Sequence, residues 1–163
     1  TAYEIRNCDW SSDVCSSDLQ LHRKVRFGDT DAAGVMHFHQ LLRWSHEAWE
    51  ESLEHYGVAP SSIFPGSRDP QQHPTIALPV VHCEATFRRP VHGGDRLDVI
   101  LQPTRLNPGS FEVRCTFQHH SDIVAHGLIR HVAIDAISRQ RCALPEAIDR
   151  WLEASCLGTI ASF

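Results

Sequence analysis

The sequence has no apolar run long enough to cross a membrane as a helix, which excludes a transmembrane helix from this stretch. No basic start followed by an apolar stretch opens it, so no secretory signal is expected. A basic stripe is also missing. Fifteen Lys and Arg stand against twenty Asp and Glu, for a net charge of −5, which argues against a nucleic-acid partner. There are six cysteines but no Cys-x-x-Cys pair. That excludes a zinc ribbon and disfavours a disulfide frame, so reduced thiols in a cytoplasmic protein are expected. No glycine-rich loop is present to cradle a phosphate. No Gly-x-Ser-x-Gly elbow is present either, so a serine triad cannot be assembled by motif. No internal repeat appears.

What is there fits one domain. At 163 residues and 42% hydrophobic content the chain can bury a sizeable core. Thr1 to Leu19 stand apart, crowded with Ser and Asp and without apolar period. They resemble one reading frame of a sequencing adapter and are expected to be an artefactual or disordered tail. That tail holds four acids against one arginine, which leaves −2 on the remaining residues, and it takes Cys8 and Cys15 with it. Residues 20–155 are expected to form the single domain, with a loose tail over residues 156–163.

The domain is organised around Val25 to Tyr56. A short β-type run, Val25-Arg26-Phe27, leads into the turn Gly28-Asp29-Thr30-Asp31-Ala32-Ala33-Gly34. A long helical pattern follows. Leu41, Trp44, Ser45, Ala48, Trp49, Ser52, Leu53 and Tyr56 recur at i, i+3, i+4 and i+7, and Gly57 is placed to end the helix in the left-handed conformation. The aromatic stripe reads as core packing. The turn thus delivers Asp31 close to a helix start, whose free N–H groups can hold an oxyanion. A carboxylate beside such donors suits acyl chemistry. Asp31 could equally be an Asx-turn or capping residue, and Asp29 is expected to stabilise the turn.

Residues 59–75 hold Pro60, Pro65, Pro70 and Pro74 and read as a long loop. Strands are expected over Ile76 to Phe87, Leu97 to Leu106, Phe111 to Phe117 and Ile123 to Ile137, the last bent at Gly127. Phe111, Val113, Cys115 and Phe117 share one face. Pro145 opens a short helix with Ile148, Trp151 and Leu152 on one side. The fold class is α+β: a curved antiparallel sheet of about five strands, the four after the helix in meander fashion, wrapped around one long helix, with a short C-terminal helix.

The segments FGDTDAAGV and HFHQLLRWSHEA, followed by ALPVV, FRRP, Gly94-Asp95 and RCALP, resemble the 4-hydroxybenzoyl-CoA thioesterase family of the hotdog fold. Within it the combination is most similar to the 1,4-dihydroxy-2-naphthoyl-CoA hydrolases of photosynthetic organisms. The resemblance spans nearly everything from Leu21 to Leu152. It implies a hotdog fold and hydrolysis of an aromatic acyl-CoA, first of all 1,4-dihydroxy-2-naphthoyl-CoA, in phylloquinone or menaquinone synthesis. It implies Asp31 as the catalytic carboxylate, nucleophile or base for water. Backbone N–H groups of Phe38 and His37 would polarise the thioester carbonyl, Phe38 being the closer match. Arg88 and Arg89 are candidates for the phosphates of coenzyme A, or else solvated strand-end charges or a subunit-interface contact. The family needs no metal or other cofactor, and no carboxylate or Cys sits at ligand spacing from His37, His39 or His46. A homo-oligomer, a dimer of dimers, is implied, with no membrane and no nucleic-acid partner. Two other functions remain open: a broader acyl-CoA or acyl-carrier-protein thioesterase, and a module that senses acyl-CoA without turnover.

Overall fold

The computed structural model describes residues 20–66 and 69–156. The expected tails at residues 1–19 and 157–163 lie outside the described residues. Along the chain run β1 (Gln20–Lys24), α1 (Phe38–His55), β2 (Ile76–Ala77), β3 (Val80–Phe87), β4 (Arg96–Asn107), β5 (Ser110–His119), β6 (Asp122–Val132), β7 (Ile134–Asp135) and α2 (Glu146–Cys156). Five strands form one antiparallel sheet in the order β1-β4-β5-β6-β3, and β2 pairs with β7 in a small second sheet.

The helix α1 forms where the apolar spacing predicts it. Leu41, Trp44, Ser45, Ala48, Trp49, Ser52 and Leu53 are all buried, and α1 lies across β3, β4, β5 and β6. Gly57 follows the helix at φ +86°, the conformation expected of its C-terminal stop. The opposing face of β5 is equally regular. Phe111, Val113, Cys115 and Phe117 are completely buried, as strict alternation requires. Each large side chain buried this way stabilises the fold by about 1.5–3 kcal/mol. The helix α2 closes the core beside β4, with Ile148, Trp151 and Leu152 inward and Trp151 edge-on to Phe111.

Four expectations need correction. The first strand is Gln20–Lys24, not Val25–Phe27. Residues Phe27–Asp29 form a 3-10 turn instead, because the Asp29 carboxylate folds back to accept the Arg26 N–H at 2.7 Å. The strands are not a simple meander. Only β4, β5 and β6 are joined that way, and β3 pairs with β6 at the far edge. The run from Ile76 to Phe87 is broken around Leu78-Pro79, where proline cannot donate to a ladder. The run from Ile123 to Ile137 is interrupted at Ala133, and its pairing continues on both sides through Gly127.

Gly127 has a different purpose. A Cβ there would collide with Ser45 Oγ and lie 3.3 Å from Ser45 Cβ. Ser45 is itself fully buried, and its hydroxyl donates to Leu41 O at 2.8 Å. Glycine therefore lets helix and sheet approach at their point of contact. Gly127→Ala should cost about 1–3 kcal/mol by overpacking, and adding Ser45→Ala should recover part of it. Chemical denaturation of Gly127→Ala, Ser45→Ala and the double variant checks this; an unchanged midpoint for Gly127→Ala would contradict the packing account.

Candidate active site

The turn before α1 is built as a small antiparallel ladder. Asp29 O accepts the His37 N–H at 2.8 Å, Thr30 bridges Met36, and Asp31 N–H donates to Val35 O at 2.8 Å. The acidic turn is thereby laid alongside the segment that enters the helix. Asp31 Oδ1 accepts from Ala33 N–H at 2.8 Å and Val35 N–H at 3.4 Å. Its Oδ2 has no hydrogen-bond partner among the described residues. The Asx-turn and the chemical role are thus compatible: one oxygen holds the loop, the other is free.

Asp31 is exposed and lines an open cleft of about 460 Å³. Phe38, Arg88 and Arg89 line the same cleft, so the structure brings together four of the five residues singled out from sequence. His37 does not line it, and its N–H is already donated to Asp29 O. That corrects the expectation that His37 is an oxyanion donor. His37 is instead the N-cap of α1, its ring nitrogen accepting from His39 N–H at 3.5 Å and lying 2.5 Å from the His39 ring nitrogen. Phe38 is the first helical residue, and its N–H has no partner among the described residues. First-turn N–H groups have no acceptor within the helix and carry partial positive charge.

The rest of the cleft is mostly apolar, with Val35, Met36, Phe87 and Val91 in its walls. Sequence reading missed these, although Phe87 directly precedes the two arginines of the FRRP segment. The Phe38 and Phe87 side chains are 64% and 37% exposed, an apolar surface that a ligand would cover. The two arginines differ. Arg89 pairs with Asp122 at 2.5 Å, whereas Arg88 makes no ion pair among the described residues. Cys115 is no rival nucleophile: it is fully buried, and burial pushes its thiol up to about 12. Among the described residues no three His, Cys, Asp or Glu side chains are grouped to hold a metal ion.

The model of the thioesterase-like superfamily matches residues 25–152. The chain belongs to this superfamily. Relatives of the same kind cover it almost throughout. The 1,4-dihydroxy-2-naphthoyl-CoA hydrolase of Parasynechococcus marenigrum (strain WH8102) is 66% identical over 144 residues, 88% of this chain and 95% of that protein. A solved chain from Prochlorococcus marinus strain MIT 9313 superposes with a TM-score of 0.80 at 65% identity, covering 83% of this chain and 94% of that one. The crystal structure of a 1,4-dihydroxy-2-naphthoyl-CoA thioesterase from Synechocystis gives a TM-score of 0.74 at 29% identity, covering 83% and 95%. The thioesterase-like assignment and the hotdog arrangement of sheet and helix therefore agree with the resemblance read from the motifs.

Proposed function

We propose that this protein hydrolyses an aromatic acyl-CoA thioester, 1,4-dihydroxy-2-naphthoyl-CoA, to the free acid and CoA, in phylloquinone or menaquinone synthesis. The observation that carries the reading is one mostly apolar cleft lined by both Asp31, with a carboxylate oxygen unpartnered among the described residues, and Phe38, whose N–H is likewise unpartnered there. The relatives' names support the substrate. Asp31 attacks the thioester carbonyl or takes a proton from the attacking water. The Phe38 N–H stabilises the charge that develops on the carbonyl oxygen. His37 holds the helix start in place. Arg88, with Arg89 beside it, faces the phosphates of the CoA moiety. Incubation with 1,4-dihydroxy-2-naphthoyl-CoA should release thiol and acid in equal amounts. Binding without release would instead identify an acyl-CoA-sensing module.

Arg88→Ala should raise KM for a CoA ester about 3–10-fold, within the range of a charged hydrogen bond at an exposed site, and leave kcat nearly unchanged. The same change should not affect the corresponding pantetheine ester, which lacks the nucleotide. Equal KM values for mutant and parent on the CoA ester would remove Arg88 from phosphate binding.

The reading extends to assembly and place. The edge strand β3 is exposed along nearly its whole length, with Val80 43% and Val81 52% exposed, and nothing pairs with its outer side among the described residues. A second copy covers this edge in a homo-oligomer, a dimer of dimers, in the cytoplasm. Among the described residues no helix is long and apolar enough to cross a membrane. Sedimentation at micromolar concentration should find a dimer or larger; a stable, active monomer would count against it.

A further inference from the structure

Given the roles proposed above for Asp31 and the Phe38 N–H, we infer that Asp29 and Gln40 are positioning residues that hold these two groups at a fixed separation. Asp29 accepts three bonds. Its Oδ2 accepts the Arg26 N–H at 2.7 Å, its Oδ1 accepts Gln40 Nε2 at 2.8 Å, and its carbonyl accepts the His37 N–H at 2.8 Å. The first bond curls the turn that leads to Asp31. The other two reach across to the helix start, one on each side of Phe38. Phe38 is thus bracketed by two groups that answer to one aspartate placed two residues before Asp31.

Gln40 shows a cost consistent with this task. It is only 6% exposed, and its Oε1 is buried with no hydrogen-bond partner among the described residues. The amide cannot turn over to relieve that oxygen, because only its N–H₂ end can donate to a carboxylate. A leucine would fill such a site without leaving a buried acceptor unpaired, which is ordinarily destabilising. What leucine cannot do is donate to Asp29. A bond to a charged acceptor is stronger and more directional than a neutral one. In this position it fixes the rotation of the first helical turn against the acidic turn. The separation of attacking oxygen and oxyanion donor depends on that rotation, and a misplacement of about 1 Å can cost on the order of 10² in rate.

The test uses the full chain, an aromatic acyl-CoA substrate and five variants. Gln40→Leu should lower kcat about 10–100-fold with KM within about threefold and melting unchanged or raised. Gln40→Glu sets a second carboxylate against Asp29 and should lose at least as much. Combining it with Asp29→Asn restores the link with donor and acceptor exchanged, since the asparagine amide donates to the carboxylate introduced at position 40 while its oxygen still accepts from Arg26. That double variant should recover kcat to within about threefold of the parent, a recovery that couples the two positions. In an Asp31→Asn background, Gln40→Leu should produce no further loss, because it acts through Asp31. A parental kcat for Gln40→Leu would overturn the inference. So would a folded double variant that fails to recover, or an equal further loss in the Asp31→Asn background. The underlying reading fails separately and visibly, through near-normal turnover by Asp31→Asn itself.

Discussion

Asp31→Asn should lose turnover by a factor on the order of 10²–10⁴ while the fold and substrate binding stay largely intact. A thioester carbonyl is already electrophilic. Its hydrolysis needs an oxygen nucleophile and somewhere for negative charge to go. Asp31 Oδ1 is engaged by the Ala33 and Val35 N–H groups, and asparagine's carbonyl oxygen can keep both bonds. The turn therefore survives the substitution. What disappears is the charge and basicity of the other oxygen, and an amide is neither a competent base nor a good nucleophile. If Asp31 served only as an Asx-turn residue, the pattern would invert, with a lower melting temperature and preserved turnover per folded molecule. Both quantities can be read from one preparation.

The second large effect concerns acid stability. His131 is fully buried between α1 and the sheet, stacked on Phe111 at 5.0 Å and against Trp49 at 4.2 Å between ring centroids. Its Nδ1 bonds Leu78 O at 2.8 Å, while Nε2 has no partner among the described residues. Burial pushes the imidazole down to about 4, the Leu78 bond opposes this, and the nearby His46 adds to it. Between about pH 6.5 and about pH 4, then, the unfolded chain takes up a proton that the folded chain refuses. Stability is fully present above this window and is lost as pH falls through it, by about 3 kcal/mol in all. His126 is shifted the same way, first by burial and then by Arg88 and Arg114, and adds in the same direction. Denaturation of the parent and of His131→Gln at pH 7.5, 6.0 and 4.5 isolates the buried ring. The gap between the two proteins should narrow or reverse toward low pH; parallel curves would show that His131 does not carry the effect.

Much of this was legible in the sequence where a period was regular. The α1 stripe and the alternating Phe111, Val113, Cys115 and Phe117 each bury one face, and burial of one face is what a period records. Asp31 and Phe38 were singled out through the family resemblance; the residues alone showed only that an acidic turn runs close to a helix start, and left Asp31 equally open to an Asx-turn role. The strand order was not. QLHRK of β1 hides only Leu21, and VVHCEATF of β3 does not alternate because nearly all of that edge strand is exposed. Edge strands lack the one-sided burial that betrays inner ones. Pairing of β3 with β6 joins residues 38 to 51 positions apart, and no local pattern encodes it. The engagement of the His37 N–H and the Asp29–Gln40 bond were hidden for a related reason. Both depend on how the turn folds back on the helix, and spacing does not report that. The purpose of Gly127 lies likewise in what faces it, Ser45, on an element far away in the chain.

The account's central claim is a carboxylate-driven hydrolysis of an aromatic acyl-CoA, and a comparison of kcat/KM across thioesters tests it most directly. Thiol release should be measured with 1,4-dihydroxy-2-naphthoyl-CoA, benzoyl-CoA and straight-chain acyl-CoA esters, on a chain beginning at Gln20. The expected result is turnover of the naphthoyl ester with kcat/KM at least about tenfold above the straight-chain esters, a margin that contacts in an apolar pocket can supply. Folded protein that releases no thiol above the buffer rate, or that prefers the straight-chain esters, would contradict it.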